Sequence, residues 1–316
     1  MLGLFPIIYP YNNFFLDVPG GHKLYVEECG NKFGIPILFL HGGPGSGADV
    51  SSRRFFCPNT YRIIIFDQRG SGRSIPHACS QNNSTQDLIA DIELLRKHLA
   101  IDKWILFGGS WGATLALVYA QAYAQHVSYM ILRGVFLGRS QDISWLLEPE
   151  YAARIFPEKY HNFISIIPAD KRNNIIDYCY DLLTTSADEV LRMAVARAWA
   201  GWEAACSSLE VNFCNENQRR DPHLAIGCAT LEAHYFKHNC FLQNNQILQN
   251  MHKICHIPGV IIHGRYDMVC PVDNSFELHK AWKHSTLNVV RLAGHSAKEP
   301  LIIHALIEAT NNASLI

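Results

Sequence analysis

The sequence predicts an α/β fold, in which a mostly parallel β-sheet is covered by helices on both faces and interrupted by a helical insertion. Three short, continuously apolar segments that end in glycine-rich loops are typical of buried central strands, at residues 36–40, 62–66 and 104–107. A segment with apolar residues at helical spacing, 86–99, lies between the last two. This strand–helix–strand order is the one that builds parallel sheets.

Further segments extend the sheet on both sides of this core. Residues 14–18 and 23–29 flank a Pro-Gly-Gly turn and predict a leading β-hairpin. Thr85 is expected to cap the helix at 86–99. Later elements are predicted from the same patterns: strands at 129–132, 260–263 and 287–291, and a C-terminal helix near 297–309.

The stretch between these two groups of strands is helical in pattern. Residues 138–251 are rich in aromatics and contain no clear strand, with helices expected at 172–183, 187–206 and 222–238. The sequence therefore predicts a core formed by 1–137 and 252–316, with 138–251 inserted as a helical cap. The alternative of two domains in series leaves the return of strands at the end unexplained.

Composition narrows the class of protein. The 316 residues are 48% hydrophobic and 17% charged, with a net charge of -1, which is typical of a globular enzyme and gives no electrostatic reason to expect a nucleic-acid or membrane partner. Ten cysteines are scattered without a C-x-x-C pair. The apolar start contains prolines at 6 and 10 and no basic residue, so we expect no signal peptide and a cytoplasmic location.

The string G-G-S-W-G at 108–112 is the strongest indication of chemistry. It follows an apolar strand and precedes a helix of small residues, which is the setting of a nucleophile elbow. Such a turn exposes the Ser110 hydroxyl and places the Trp111 amide at a helix N-terminus, facing developing negative charge. The alternative is a tight, packed turn without chemistry, but the strand and helix on either side favour a nucleophilic serine.

A serine nucleophile needs a histidine base, and that histidine needs an orienting carboxylate. In sheets of this type the order along the chain is Ser, Asp or Glu, His. Among 16 histidines, His295 follows the last predicted strand, and Asp267 follows the strand before it. Both emerge at the carboxyl ends of strands, the edge that also presents Ser110. We therefore predict the set Ser110, Asp267 and His295.

The string H-G-G-P-G-S-G at 41–47 follows the first central strand and is expected to supply one N–H of an oxyanion hole, with Trp111 supplying the other. Pro44 has no N–H, so the donor is Gly42 or Gly43, of which Gly43 is favoured. A phosphate-binding loop is disfavoured because the Lys-Ser/Thr pair and the G-x-G-x-x-G spacing are missing. Asp67, in D-Q-R-G-S-G-R-S at 67–74, is interpreted as a residue that holds loops together.

Taken together, the strings at 41–47, 67–74, 108–112, 264–267 and 294–296 resemble those of the prolyl aminopeptidases (proline iminopeptidases) of the α/β-hydrolase fold. The resemblance extends over about residues 11–300. Lipases and esterases share the elbow, but not G-G-S-W-G beside D-Q-R-G. The resemblance implies release of N-terminal proline from peptides through an acyl-enzyme on serine, without a metal or other cofactor.

The resemblance also implies which residues bind substrate. A buried imino cation needs a carboxylate partner, and Glu203 and Glu232 match the amine-binding acids of the family. Phe136 and Phe236 match positions around the proline ring. Without the resemblance, each glutamate would be interpreted as a solvated helix charge, and the aromatics, like Cys270, as ordinary core.

Two departures from the family pattern leave substrate preference open, one around Glu232 and one at 148–157. An esterase or amidase acting on uncharged acyl compounds is the main alternative, followed by a ligand-binding protein that has kept a hydrolase pocket. A metal-dependent hydrolase is disfavoured because no H-E-x-x-H spacing occurs. Oligomeric state and the residue preferred after proline are not predicted.

Overall fold

The structure is a computed structural model that describes residues 1–209 and 221–315. Eight strands form one sheet: β1 (Asn12–Val18), β2 (His22–Gly30), β3 (Ile35–Leu40), β4 (Tyr61–Phe66), β5 (Trp104–Gly109), β6 (Val127–Arg133), β7 (Gly259–Gly264) and β8 (Ser285–Val290). Their order across the sheet is β1-β2-β4-β3-β5-β6-β7-β8. The β1–β2 and β2–β4 pairs are antiparallel, and every other neighbouring pair is parallel. The leading hairpin and the mostly parallel sheet are thus confirmed.

The described helices alternate with these strands or lie in the insertion. They are α1 (Thr85–His98), α2 (Trp111–Ala122), α3 (Ser140–Leu147), α4 (Pro157–Ser165), α5 (Ile175–Thr185), α6 (Glu189–Ser207), α7 (Pro222–Lys237), α8 (Gln246–Gln249), α9 (Val272–Ala281) and α10 (Pro300–Ala313). A short 3-10 helix, Val50–Phe55, follows β3. The C-terminal helix begins at Pro300, because proline at the first helical position loses no hydrogen bond.

The central strands are buried on both faces, which explains why they are apolar throughout. On β3 and β4, Leu38 and Ile64 belong to the apolar core that includes α1 and α2. Their neighbours Ile37 and Ile63 point to the opposite face, where α10 packs. Because successive residues of a strand face opposite sides, a sheet between two helical layers requires apolar residues at every position.

The cap of α1 lies one residue earlier than predicted. Ser84 has an extended backbone and accepts from the Asp87 amide, while the Asp87 carboxylate accepts from the Ser84 amide at 2.9 Å. This reciprocal pair is a capping box. Thr85 instead donates its hydroxyl to the Cys240 carbonyl at 2.6 Å, so the expectation for Thr85 was wrong.

Helices α3 to α8 lie between β6 and β7, the stretch expected to be helical. Within 134–209 and 221–258 the structure contains no strand. Helix α5 begins at Ile175, after a short 3-10 helix that covers 169–174. Helices α3 and α4 were not predicted, because they are short and follow turns rather than a long amphipathic pattern. The division of the chain after residues 137 and 251 stays a prediction.

Candidate active site

Ser110 occupies a strained turn between β5 and α2. Its φ of 57° and ψ of -123° lie where residues with a side chain are uncommon, and its amide donates to the Arg133 carbonyl at 2.9 Å. The flanking glycines are needed for close packing. A Cβ on Gly108 would collide with the Gly112 carbonyl, and one on Gly112 would collide with the Leu40 carbonyl. The G-x-S-x-G spacing thus reflects steric contacts around the elbow.

Asp267 and His295 are directly hydrogen-bonded at the same edge of the sheet. Nδ1 of His295 lies 2.7 Å from Oδ2 of Asp267, and both side chains are buried. Oδ1 of Asp267 accepts from the amides of Val269 at 3.0 Å and Cys270 at 2.8 Å. Because the carboxylate can only accept, Nδ1 of His295 carries the ring proton. Nε2 is then left as a base.

The electrostatics favour a charged Asp267 beside a neutral His295. Burial alone would raise the pKa of Asp267, but the positive charge that His295 gains at low pH and hydrogen bonds from His263 and His295 hold that pKa well below its usual range. Burial lowers the pKa of His295 below its ordinary value, against the opposing effect of Asp267 and with a further lowering effect from Arg133. At neutral pH the imidazole is therefore ready to accept a proton.

A second histidine, which no sequence pattern singled out, also lies close to Asp267. Nε2 of His263 lies 3.3 Å from Oδ2 of Asp267 and 2.8 Å from the Cys270 carbonyl. On the other side of the ring, the Val135 amide donates to Nδ1 at 3.3 Å and Ser275 Oγ lies 2.5 Å from it. A backbone amide can only donate, so Nε2 carries the proton and points toward Asp267. The only signal in the sequence was its place in H-G-R-Y-D.

Ser110 and His295 line one cavity of about 620 Å³, together with Gly43, Arg133 and Glu203. Trp111 is the first residue of α2, so its amide has no acceptor within the helix. Arg133 donates from one terminal nitrogen to the His295 carbonyl at 2.7 Å and thereby fixes the histidine loop against the elbow.

A second, narrower pocket adjoins this cavity at Ser110, Gly43 and Glu203. Its remaining walls are Phe136, Asp142, Leu146, Glu232, Phe236, Val269 and Cys270. The structure therefore brings the two glutamates and the two phenylalanines that were predicted to bind substrate to one place beside Ser110. Cys270, interpreted as core, also lines the pocket, and burial raises the pKa of its thiol well above the ordinary value.

The two glutamates come from neighbouring helices of the insertion, Glu203 from α6 and Glu232 from α7. Glu232 is only 2% exposed, and its Oε2 accepts from the Trp199 indole N–H at 2.5 Å. The free volume of the pocket is about 20 Å³, little more than the ~10–15 Å³ that one water molecule requires, and far less than a proline ring needs. A ligand must therefore displace its walls to enter.

Asp67 lies outside this site. It is fully buried and accepts from the Ala48 amide at 2.8 Å, the Arg73 amide at 2.9 Å and the Arg73 side chain at 2.7 Å. These bonds join the loop after β3 to the loop after β4, which agrees with the interpretation of Asp67 as a residue that holds loops together.

Comparison with known proteins agrees with this geometry. A family model described as "alpha/beta hydrolase fold" matches residues 35–299. A proline iminopeptidase of Xylella fastidiosa is 45% identical over 313 residues, which are 99% of each chain. One of Xanthomonas citri is 46% identical over 98% of this chain and 99% of the relative, and one of Arabidopsis thaliana is 44% identical over 97% and 80%. The chain belongs to the proline iminopeptidase family.

Solved structures place this proline iminopeptidase family member among α/β hydrolases by fold. An esterase from Exiguobacterium antarcticum superimposes with a TM-score of 0.68 at 19% identity, over 96% of this chain and 100% of the esterase. A bromoperoxidase from Bacillus anthracis gives a TM-score of 0.59 at 20% identity, over 96% and 99%. At such identities the likeness shows the fold alone. In the described part of this proline iminopeptidase family member, no helix is long and apolar enough to span a membrane.

Proposed function

We propose that the chain removes N-terminal proline from peptides through an acyl-enzyme on Ser110. One observation supports this most: the narrow pocket beside Ser110 combines two carboxylates, Glu203 and Glu232, with two aromatic walls, Phe136 and Phe236. An N-terminal proline has a cationic imino group on an apolar ring, and this pocket offers a partner for each. The relatives named proline iminopeptidase support the same activity.

In the proposed reaction, Nε2 of His295 takes the proton from Ser110 Oγ as the oxygen attacks the carbonyl of the proline residue. The amides of Gly43 and Trp111 stabilise the oxyanion of the tetrahedral intermediate. The C–N bond then breaks, and His295 gives its proton to the departing amine. Water attacks the acyl-enzyme in the same manner, and free proline leaves. Asp267 keeps His295 in the correct tautomer throughout.

The two cavities divide the substrate between them. The proline occupies the narrow pocket, with its cation between Glu203 and Glu232, and the rest of the peptide extends into the cavity of about 620 Å³. A blocked nitrogen carries no charge and would leave two carboxylates facing an apolar group, so N-acylated peptides are excluded. Because the pocket is narrow before binding, its aromatic walls move when the ring enters.

The test is hydrolysis of proline arylamide beside its N-acetylated form and alanine arylamide. We expect strong preference for the free proline compound, and loss of turnover in Ser110→Ala with the fold retained. Comparable hydrolysis of the N-acetylated compound would instead indicate an esterase or amidase of uncharged acyl groups. Near-full activity of Ser110→Ala would exclude Ser110 as the nucleophile.

Glu232→Gln tests the amine site separately. The substitution keeps the shape of the side chain and removes its charge, so we expect KM for proline arylamide to rise more than tenfold. The rate at which an aryl phosphonate labels Ser110 should fall much less, because that reagent carries no amine. Equal KM values for the variant and the parent would remove Glu232 from the site.

A cytoplasmic location and the boundaries of the cap, 138–251, are part of the same proposal. The location rests on ten scattered cysteines without a C-x-x-C pair. The boundaries rest on the position of helices α3 to α8 between two neighbouring strands of the sheet.

A further inference from the structure

Gln68, in the loop after β4, has no role in the mechanism above, yet its side chain contacts two segments of the site. It is 1% exposed. Its Nε2 donates to the His41 carbonyl at 2.9 Å, and its Oε1 accepts from the Trp111 indole N–H at 3.0 Å. One buried amide thus joins the loop after β3 to the first residue of α2. These two segments hold the proposed oxyanion donors, the amides of Gly43 and Trp111.

The backbone of Gln68 makes a further contact that determines how His41 is protonated. Its amide donates to Nε2 of His41 at 2.9 Å, so Nε2 carries no proton. Nδ1 then carries the ring proton and donates to the Gly42 carbonyl at 2.9 Å. Burial lowers the pKa of His41, which keeps the ring in this neutral form at ordinary pH.

Holding the Gly42 carbonyl also directs the Gly43 amide. The Gly42 carbonyl and the Gly43 N–H belong to one planar peptide unit, so fixing one group fixes the direction of the other. Gly43 has a φ of 108°, a value that glycine adopts readily. Glycine also adopts many other values, so the residue itself does not hold the chain in this conformation. The Gly42 carbonyl also accepts a longer bond from the Ser46 amide, at 3.4 Å, so the bond from His41 is the shorter of two that orient this N–H.

We propose that Gln68 and His41 are positioning residues of the oxyanion hole. Gln68 sets the distance between the two segments that donate, and His41 sets the direction of the Gly43 N–H; neither touches the substrate. The inference rests on the proposed function only in taking Gly43 and Trp111 as the donors. Donors that are fixed before the reaction are the ones that stabilise a transition state, because they need no reorganisation when charge develops.

The test begins with Gln68→Met, which keeps the length of the side chain and removes both hydrogen bonds. We expect kcat for proline arylamide to fall about 10- to 100-fold, less than or comparable to the loss of a whole oxyanion donor. KM and inhibition by free proline should change less than threefold. Inhibition by pyrrolidine-2-boronic acid, whose tetrahedral adduct places an oxygen in the oxyanion hole, should weaken in parallel with kcat/KM.

Two further variants separate positioning from stability. Trp111→Phe removes the indole N–H and keeps the main-chain amide. In the Gln68→Met background it should lower kcat far less than it does in the parent enzyme, because the bond between the two side chains is already lost. Asn83→Leu is the matched control, since Asn83 is another buried amide, whose side chain donates to the Arg69 and Cys79 carbonyls and accepts from the Tyr235 hydroxyl. It should lower the unfolding temperature and leave kcat within twofold.

A folded Gln68→Met enzyme with kcat within twofold of the parent would overturn the inference, as would equal losses in boronate and proline binding. Gln68→Glu keeps the acceptor for Trp111 and loses the donor to His41, so it tests the bond to His41 alone if Gln68→Met does not fold; kcat within twofold of the parent would again overturn the inference. Labelling of Ser110 by an aryl phosphonate distinguishes failure of the positioning role from failure of the proposed function. Failure of the parent enzyme to cleave proline arylamide would contradict the proposed function, whereas an unchanged labelling rate in Gln68→Met would contradict the positioning role.

Discussion

Nε2 of His263 donates to the Cys270 carbonyl at 2.8 Å and also lies 3.3 Å from Oδ2 of Asp267, the oxygen that contacts His295. Neither His263 nor Asp267 exposes its side chain to solvent. The carboxylate thus lies between two imidazoles, that of His295, which lines the cavity with Ser110, and that of His263, which is fully buried. The N–H on the interior side helps to stabilise the charged carboxylate, which the amides of Val269 and Cys270 hold in place.

We therefore expect His263→Phe to lower kcat about 10- to 100-fold, the range found when supporting hydrogen bonds are removed from metal sites. His263→Gln should retain more activity, because its amide nitrogen can donate from nearly the same position as Nε2. Steady-state kinetics with proline arylamide, beside circular dichroism to verify folding, measures the difference. Equal losses in the two variants would show that the ring fills space and does not support Asp267.

In the pH profile of kcat/KM, the fall in activity on the acid side (the acid limb) should lie below pH 6.5, the ordinary pKa of histidine. His295 must be neutral to accept the proton of Ser110, and burial lowers its pKa, so the neutral form persists to lower pH than in a free histidine. Asp267→Asn removes the charge that opposes this shift. Its acid limb should move to still lower pH, while kcat falls by orders of magnitude.

The pH dependence of phosphonate labelling gives the same limb without interference from the substrate amine or from Glu203 and Glu232. A limb that moves to higher pH in Asp267→Asn would contradict the assignment of His295 as the titrating base. Arg133, which acts with burial on the same pKa, is left in place in both enzymes.

Phe136→Leu should weaken the preference for proline. Phe136 and Phe236 have ring centroids 6.0 Å apart in the narrow pocket, and a smaller side chain loses part of the wall against the pyrrolidine ring. A change of this size in an apolar pocket alters the discrimination between two substrates by about 1–3 kcal/mol. The ratio of kcat/KM for proline arylamide to that for alanine arylamide should therefore fall about tenfold. Phe66→Leu, at a fully buried position on β4 outside both cavities, should leave that ratio as it is.

Arg69→Met should destabilise the fold. Arg69 is bonded to Asp91 through Nε at 2.6 Å and a terminal nitrogen at 2.7 Å, and both side chains are almost fully buried. Burial raises the pKa of Asp91 even with Arg69 present. Removing the arginine leaves a buried carboxylate without its partner, which costs about 3–5 kcal/mol in the free energy of unfolding.

Urea unfolding at pH 7 measures this cost. Replacing both residues, as Arg69→Met with Asp91→Leu, should recover most of the loss, because apolar pairs often substitute for buried ion pairs. Lys23→Met breaks the exposed pair with Asp17 and serves as the control, with an expected loss of at most ~1 kcal/mol. Similar losses for Arg69→Met and Lys23→Met would contradict the prediction.

The sequence predicted the strands well because each central strand has the same local signature, a short apolar run before a glycine-rich loop. It predicted the position of α1 to within one residue but not its cap, since Ser84 and Thr85 are chemically equivalent and only Asp87 distinguishes them in space. Helices α3, α4 and α9 were missed, because packing against the sheet and the insertion stabilises helices whose own pattern is short.

For the site, the sequence by itself determined the elbow at Ser110 and the residues expected to work with it, because strand order confines Asp267 and His295 to one edge of the sheet. It did not determine the contacts of Gln68, which join segments that are distant along the chain. Nor did it determine those of His263, because the pattern of a strand does not show which side chain the ring contacts. Tertiary structure alone decided that Glu203 and Glu232 lie beside Ser110. Two helices carry them, and only the packing of those helices brings the carboxylates together.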